Sequence, residues 1–143
     1  MEELEEILVE LLCKTYNKII YDEEKILKDM IGDKLSLKEF HTIDVIYDTM
    51  ANKINTASNI AKLLGITQGT LTINVDRLIA KGYANKVKND SDRRVTYIEL
   101  TADGHNLRNK HNIIHKQLIE GAIKNLNTSE KVALVNAVTK LEI

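Results

Sequence analysis

Residues 67–101 read TQGTLTINVDRLIAKGYANKVKNDSDRRVTYIELT, and the spacing of apolar residues changes period inside that run. Up to Gly82, the residues Leu71, Val75, Leu78 and Ile79 recur at three- and four-residue steps, the spacing of an amphipathic helix. Thr67 is placed to cap its start, and Gly82 to end it in the left-handed conformation. From Tyr83 to Lys88, and again from Val95 to Leu100, the chain turns β-branched and aromatic. The polar Asn89-Asp90-Ser91-Asp92-Arg93-Arg94 between these segments reads as the charged tip of a hairpin. Just upstream, Thr56 is placed to cap a short helix carrying Ile60, Ala61, Leu63 and Leu64, which Gly65 stops. Gly65-Ile66-Thr67 then joins two helices by the kind of tight turn found in helix-turn-helix units. The expected fold is mainly α, a winged helix-turn-helix with a two-stranded wing.

Working outward, Leu4, Ile7, Leu8, Leu11, Leu12, Ile19 and Ile20 form the stripe of a long first helix ending near Gly32. Ser36-Leu37-Lys38-Glu39 reads as a capping box for a second helix, the serine serving the N3 amide and the glutamate reaching back. Phe40, Ile43, Ile46, Tyr47 and Met50 mark its buried face. After the wing, Thr101 is placed to cap a fifth helix over about Ala102 to Asn125. Thr128 or Ser129 opens a last one with Val132, Val135, Val138 and Leu141. The chain is expected to form a single domain over 1–143. Its lobe is residues 36–100, and the long helices of 1–32 and 102–143 form a dimerisation layer.

Composition narrows the function classes. The 143 residues hold 20 Lys plus Arg against 21 Asp plus Glu, a net charge of -1, so any nucleic-acid contact must use local rather than global charge. No apolar run approaches the roughly 20 residues of a membrane span, and the acidic start is unlike a signal peptide, so a cytoplasmic location is expected. A single cysteine, Cys13, agrees with a reducing compartment. There is no proline, and aromatic residues are only 4%, which disfavours a stacking platform for single strands. No nucleophile elbow, phosphate loop or HExxH occurs, so no enzyme and no cofactor are expected.

In a helix-turn-helix, the start of the second helix meets base edges in the major groove. That assigns Thr67, Gln68, Gly69, Thr70, Thr72 and Asn74 to double-stranded DNA. Gln and Asn suit adenine, and a threonine methyl suits thymine, so an A·T-rich site is expected. Arg94 is assigned to the minor groove, whose narrow A·T-rich stretches concentrate negative potential. Asp92 would hold its guanidinium in position, with Arg93 near a phosphate; the alternative is a weak surface ion pair between Asp92 and Arg94. Arg77, Lys86 and Lys88 are further phosphate candidates.

The constellation Leu71-x-x-x-Val75-x-Arg77-Leu78, Lys81-Gly82-Tyr83, Asp92-Arg93-Arg94 and Leu100-Thr101-x-x-Gly104 resembles the MarR family of bacterial regulators over essentially the whole chain. Where that family usually has a wing proline, this chain has Ser91, which implies a looser turn. His41-Thr42-Ile43-Asp44-Val45-Ile46, Gly69-Thr70-Leu71-Thr72 and His111 with His115-Lys116 resemble its FabT branch, the repressors of fatty-acid synthesis. The resemblance implies a homodimeric repressor on a pseudo-palindromic operator, with acyl-acyl carrier protein as co-repressor. An acyl pocket would be lined by Leu8, Leu12, Tyr16, Ile43, Ile46 and Tyr47, and Arg108, Lys110 or Lys116 would receive the acidic carrier. The family also holds other sensors. Zinc sensing would draw on His41, His111 and His115, the last two spaced for one helix face. Peroxide sensing would draw on Cys13, although its apolar neighbours Leu11, Leu12 and Tyr16 favour a buried, inert thiol.

Overall fold

The computed structural model describes residues 2–141. Along the chain run α1 (Glu2–Ile31), a 3-10 turn (Gly32–Lys34), α2 (Leu37–Ala51), α3 (Ala57–Leu64) and α4 (Gln68–Ala80). The strands β1 (Ala84–Lys88) and β2 (Thr96–Leu100) follow, then α5 (Ala102–Ile123) and α6 (Thr128–Val138). Among the described residues no helix is long and apolar enough to cross a membrane. The chain divides into two compact units, residues 26–112 and residues 1–25 with 113–143. The first is wider at both ends than the expected 36–100, because Leu27, Leu35 and Leu107 are buried in its core.

Local chemistry sets the helix ends in the 26–112 unit. Ser36, Thr56 and Thr67 each take extended backbone and accept the amide hydrogen three residues on, from Glu39, Asn59 and Thr70. The capping box at Ser36 is only half formed. Glu39 does not reach back but receives Lys81 at 2.7 Å, tying the start of α2 to the end of α4. Gly65 closes α3 with φ 67°. At the end of α4 the amides of Gly82 and Tyr83 donate to Ile79 and Leu78, a Schellman closure that places Gly82 at φ 83°.

Phe40, Ile43, Ile46, Ile60, Leu71, Val75, Leu78 and Ile98 fill the centre of this unit, none more than 1% exposed. Leu63, one of the apolar residues carried by α3, is 62% exposed; Ile60 and Ala61 are buried, and Ala57 and Leu64 pack partly buried against the core. The antiparallel wing pairs Ala84 with Leu100 and Lys88 with Thr96. On its other edge β2 is held by Asn55, whose carbonyl accepts from the Ile98 amide at 2.9 Å and whose side-chain amide donates to the Ile98 carbonyl at 2.8 Å.

The segments Lys81-Gly82-Tyr83 and Leu100-Thr101-x-x-Gly104 meet in space. Thr101 caps α5, accepting from the Gly104 amide at 3.1 Å, while its hydroxyl donates to the Gly82 carbonyl at 2.6 Å. Its backbone amide donates to the Tyr83 carbonyl at 3.1 Å. A Cβ on Gly104 would sit 2.2 Å from that same carbonyl oxygen, so only glycine permits this closure of the wing onto α5.

In the other unit, apolar residues find little cover. Leu4, Leu8, Leu11, Leu12 and Tyr16 of α1 are 50–65% exposed. α6 opens with a capping box between Asn127 and Glu130, one residue before the expected start, and buries no residue at all. Val132, Val135, Val138 and Leu141 are all more than half exposed.

Candidate nucleic-acid interface

α3, the Gly65-Ile66-Thr67 turn and α4 present the first turns of α4 to solvent, with Leu71, Val75 and Leu78 anchoring the opposite side. Thr67, Gln68, Gly69, Thr70 and Thr72 are exposed, and Asn74 is half-buried. Several hydroxyls are partly engaged within the helix. Thr67 Oγ1 donates to Thr70 Oγ1 at 3.0 Å, and Thr72 Oγ1 donates to the Gln68 carbonyl at 2.9 Å. Arg77, Lys88 and Arg93 are exposed. Lys86 is paired with Asp76 of α4 at 2.6 Å, which neutralises it and braces the wing against the helix.

At the wing tip, Asp92 grips Arg94 through two side-chain hydrogen bonds. Arg94 Nε donates to Oδ1 at 3.1 Å and Nη2 to Oδ2 at 3.2 Å, and the Arg94 backbone amide adds a third at 3.0 Å. The Arg94 side chain, then its backbone N–H, hold the Asp92 carboxyl below its ordinary range. The guanidinium side chain nevertheless stays 91% exposed, so it is oriented without being covered. Serine at position 91 does not loosen this turn. Asn89 Oδ1 accepts from the Ser91 amide at 2.8 Å and the Asp92 amide at 3.3 Å, and the first of those bonds uses an N–H that proline lacks.

Gln68 and Arg94 flank one cleft of about 230 Å³, lined also by Thr56, Ala57, Ser58, Val95 and Thr96. The structure thus brings the start of α3, the start of α4 and the wing to one surface. Ser58 and Thr96 carry no pattern in the sequence that marks them for that cleft.

The remaining expected residues lie elsewhere. Ile43 and Ile46 are fully buried and offer no surface to an acyl chain, whereas Leu8, Leu12 and Tyr16 are exposed. Tyr47 lies under the Arg108 guanidinium, 3.6 Å from ring centre to Cζ, and Arg108 Nε is 3.8 Å from Asp44. Arg108 is therefore committed internally, Lys116 lies near Glu120, and Lys110 is exposed. His41 is exposed, but His111 is fully buried, 5.0 Å from the Phe40 ring and with Nδ1 3.5 Å from Asp44. His115 is exposed. Cys13 is exposed rather than buried, because the α1 stripe around it is itself exposed.

A family model described as transcriptional regulator SarA/Rot matches residues 25–112, the stretch that builds this surface. The chain belongs to the SarA/Rot family. This SarA/Rot regulator is also similar to the multiple antibiotic resistance protein MarR of Escherichia coli, at 30% identity over 80 residues. That match covers 55% of this chain and 56% of MarR, so it spans little more than half of the relative. Among solved structures it is similar to Streptococcus pneumoniae FabT in complex with DNA, at 32% identity and TM-score 0.82, covering 94% of this chain and 92% of FabT. A mutant of S. aureus MepR bound to an oligodeoxyribonucleotide shares the fold at 20% identity and TM-score 0.70, covering 93% of this chain and 94% of MepR. The winged helix-turn-helix of this SarA/Rot regulator is thus a MarR-type transcription-factor fold.

Proposed function

We propose that this SarA/Rot regulator is a homodimeric repressor that reads a pseudo-palindromic, A·T-rich operator. The start of α4 lies in the major groove and Arg94 in the minor groove. The observation that carries this reading is the surface shared by the α4 start and a wing arginine held by Asp92 but left exposed. Thr67, Gln68, Gly69, Thr70, Thr72 and Asn74 then face bases, and Arg77, Lys88 and Arg93 face phosphates. Dimerisation is supported by the second unit, where α6 buries nothing and the α1 stripe stays exposed. Burying each such aliphatic side chain is worth about 1.5–3 kcal/mol, so a second copy is the natural cover for a row of them. A two-fold then spaces the recognition helices about one DNA turn apart, roughly 34 Å.

The regulated genes, on this reading, are those of fatty-acid synthesis, and long-chain acyl-acyl carrier protein is the co-repressor. Likeness to FabT over nearly the full chain supports this assignment. Fluorescence anisotropy on a duplex selected by the protein from a random library tests it. Long-chain acylated carrier is expected to tighten binding at least tenfold, and the unacylated carrier to leave it unchanged. Equal affinity with and without the acylated carrier would remove the co-repressor assignment.

Gly69 supplies a separate prediction. A Cβ there would meet only Thr67 Oγ1 at 3.9 Å, so Gly69→Ala costs the fold nothing and adds up to about 1 kcal/mol of helix propensity. Operator affinity should nonetheless fall at least tenfold, because the added methyl keeps the backbone from the base edges. A thermal melt combined with anisotropy checks both halves; unchanged affinity would show that the backbone does not approach closely here.

A further inference from the structure

Leu71, Val75 and Leu78 bury one side of α4. At about 100° per residue, Ile73 lies roughly 200° around the helix from Leu71, on the opposite side. It is 56% exposed. Along the same outer line, Gly69 lies one turn toward the start, where an added Cβ would meet only Thr67 Oγ1 at 3.9 Å, and the exposed Ala80 lies two turns toward the end. Between Ile73 and Ala80 this face carries the exposed, charged Asp76 and Arg77, so its apolar part is confined to the first turns, at Gly69 and Ile73. Beside it, Thr72 has spent its only hydroxyl hydrogen on the Gln68 carbonyl.

A β-branched side chain is a poor choice for a solvated helix face. It lowers helix propensity, and water offers its aliphatic surface no compensation. The major groove does. At an A·T pair it presents the thymine 5-methyl group, which no other unmodified base carries. We propose that Ile73 is a specificity-determining residue that packs against a thymine 5-methyl group in each half-site, with the bare backbone at Gly69 allowing the helix to descend to that contact. The inference rests on the reading that α4 enters the major groove, and it extends that reading to a residue whose role there is apolar.

The test uses a duplex selected by the wild-type protein from a random library. Each thymine is replaced in turn by deoxyuridine, symmetrically in both half-sites, which removes the methyl and keeps every hydrogen-bonding edge. At the contacted position the wild-type protein should lose about fourfold in affinity per half-site, about 15-fold for both, the worth of burying one methyl-sized group. In Ile73→Ala the operator should bind more weakly at the outset, and the same deoxyuridine change should matter less than twofold. The variant's thermal midpoint should stay at or slightly above wild type, since Ile73 supports no core. A wild-type protein indifferent to every thymine methyl, or an equal loss in Ile73→Ala, would overturn the proposal. Failure of the underlying reading looks different: the wild-type protein then enriches no duplex at all, and the inference falls with it.

Discussion

Arg94→Ala should weaken operator binding on the order of 100-fold, at about 1–3 kcal/mol for each of the two wings of a dimer. The thermal midpoint should move by less than about 1 °C, because an ion pair this exposed contributes little to stability. The geometry is what separates the two readouts. Asp92 occupies Nε and Nη2 of the guanidinium and fixes its plane, while the side chain remains 91% exposed and open to a partner. Because the Asp92 carboxyl is held below its ordinary range, this clamp is complete at neutral pH and is lost only as pH falls through the depressed value. Arg94→Lys should not restore binding, since an ammonium cannot both hold the Asp92 fork and present a planar edge. Anisotropy on the selected duplex and a circular-dichroism melt decide the matter. An unchanged affinity would reduce the Asp92–Arg94 pair to a surface ion pair.

Gly104→Ala should act in the opposite sense, on the fold first. The new Cβ would lie 2.2 Å from the Tyr83 carbonyl oxygen and 3.3 Å from Leu100 Cβ. That carbonyl is backbone and already accepts from the Thr101 amide, so it cannot yield without opening the junction of the wing with α5. A loss of about 3 kcal/mol or more is expected, lowering the thermal midpoint by roughly 10 °C. A midpoint within about 2 °C of wild type would show that the junction relaxes freely. The neighbouring Thr101→Val, which keeps the shape but loses the hydroxyl bonds to Gly82 and Gly104, should cost less, about 1–2 kcal/mol.

How far this protein can be read from sequence follows from the range of each interaction. Ser36, Thr56 and Thr67 cap helices through groups three residues away, and the wing announces itself by a change of period, so the element order was legible. Glu39 was not: its partner Lys81 lies far along the chain, and the local capping-box reading lost to that tertiary ion pair. Leu63 and Ile73 show the limit of periodicity. An apolar residue in a helical pattern is assigned inward or overlooked, and only the packed structure shows that both face solvent. Ile43 and Ile46 fail as pocket residues for the converse reason, since nothing in a run of apolar residues separates a cavity wall from a filled core. The α1 stripe and α6 were readable as apolar faces with no core of their own, and their exposure supports the proposed dimer layer.

Two copies of this chain are proposed to bind one duplex through local basic and apolar contacts, despite the net charge of -1. Sedimentation of the protein with the selected duplex, repeated between 50 and 200 mM salt, tests this proposal most directly. Two chains per duplex and a loss of about 1,000-fold in affinity across that range are expected if Arg77, Lys88 and Arg93 of each copy face phosphates. One chain per duplex, or an affinity indifferent to salt, would contradict it.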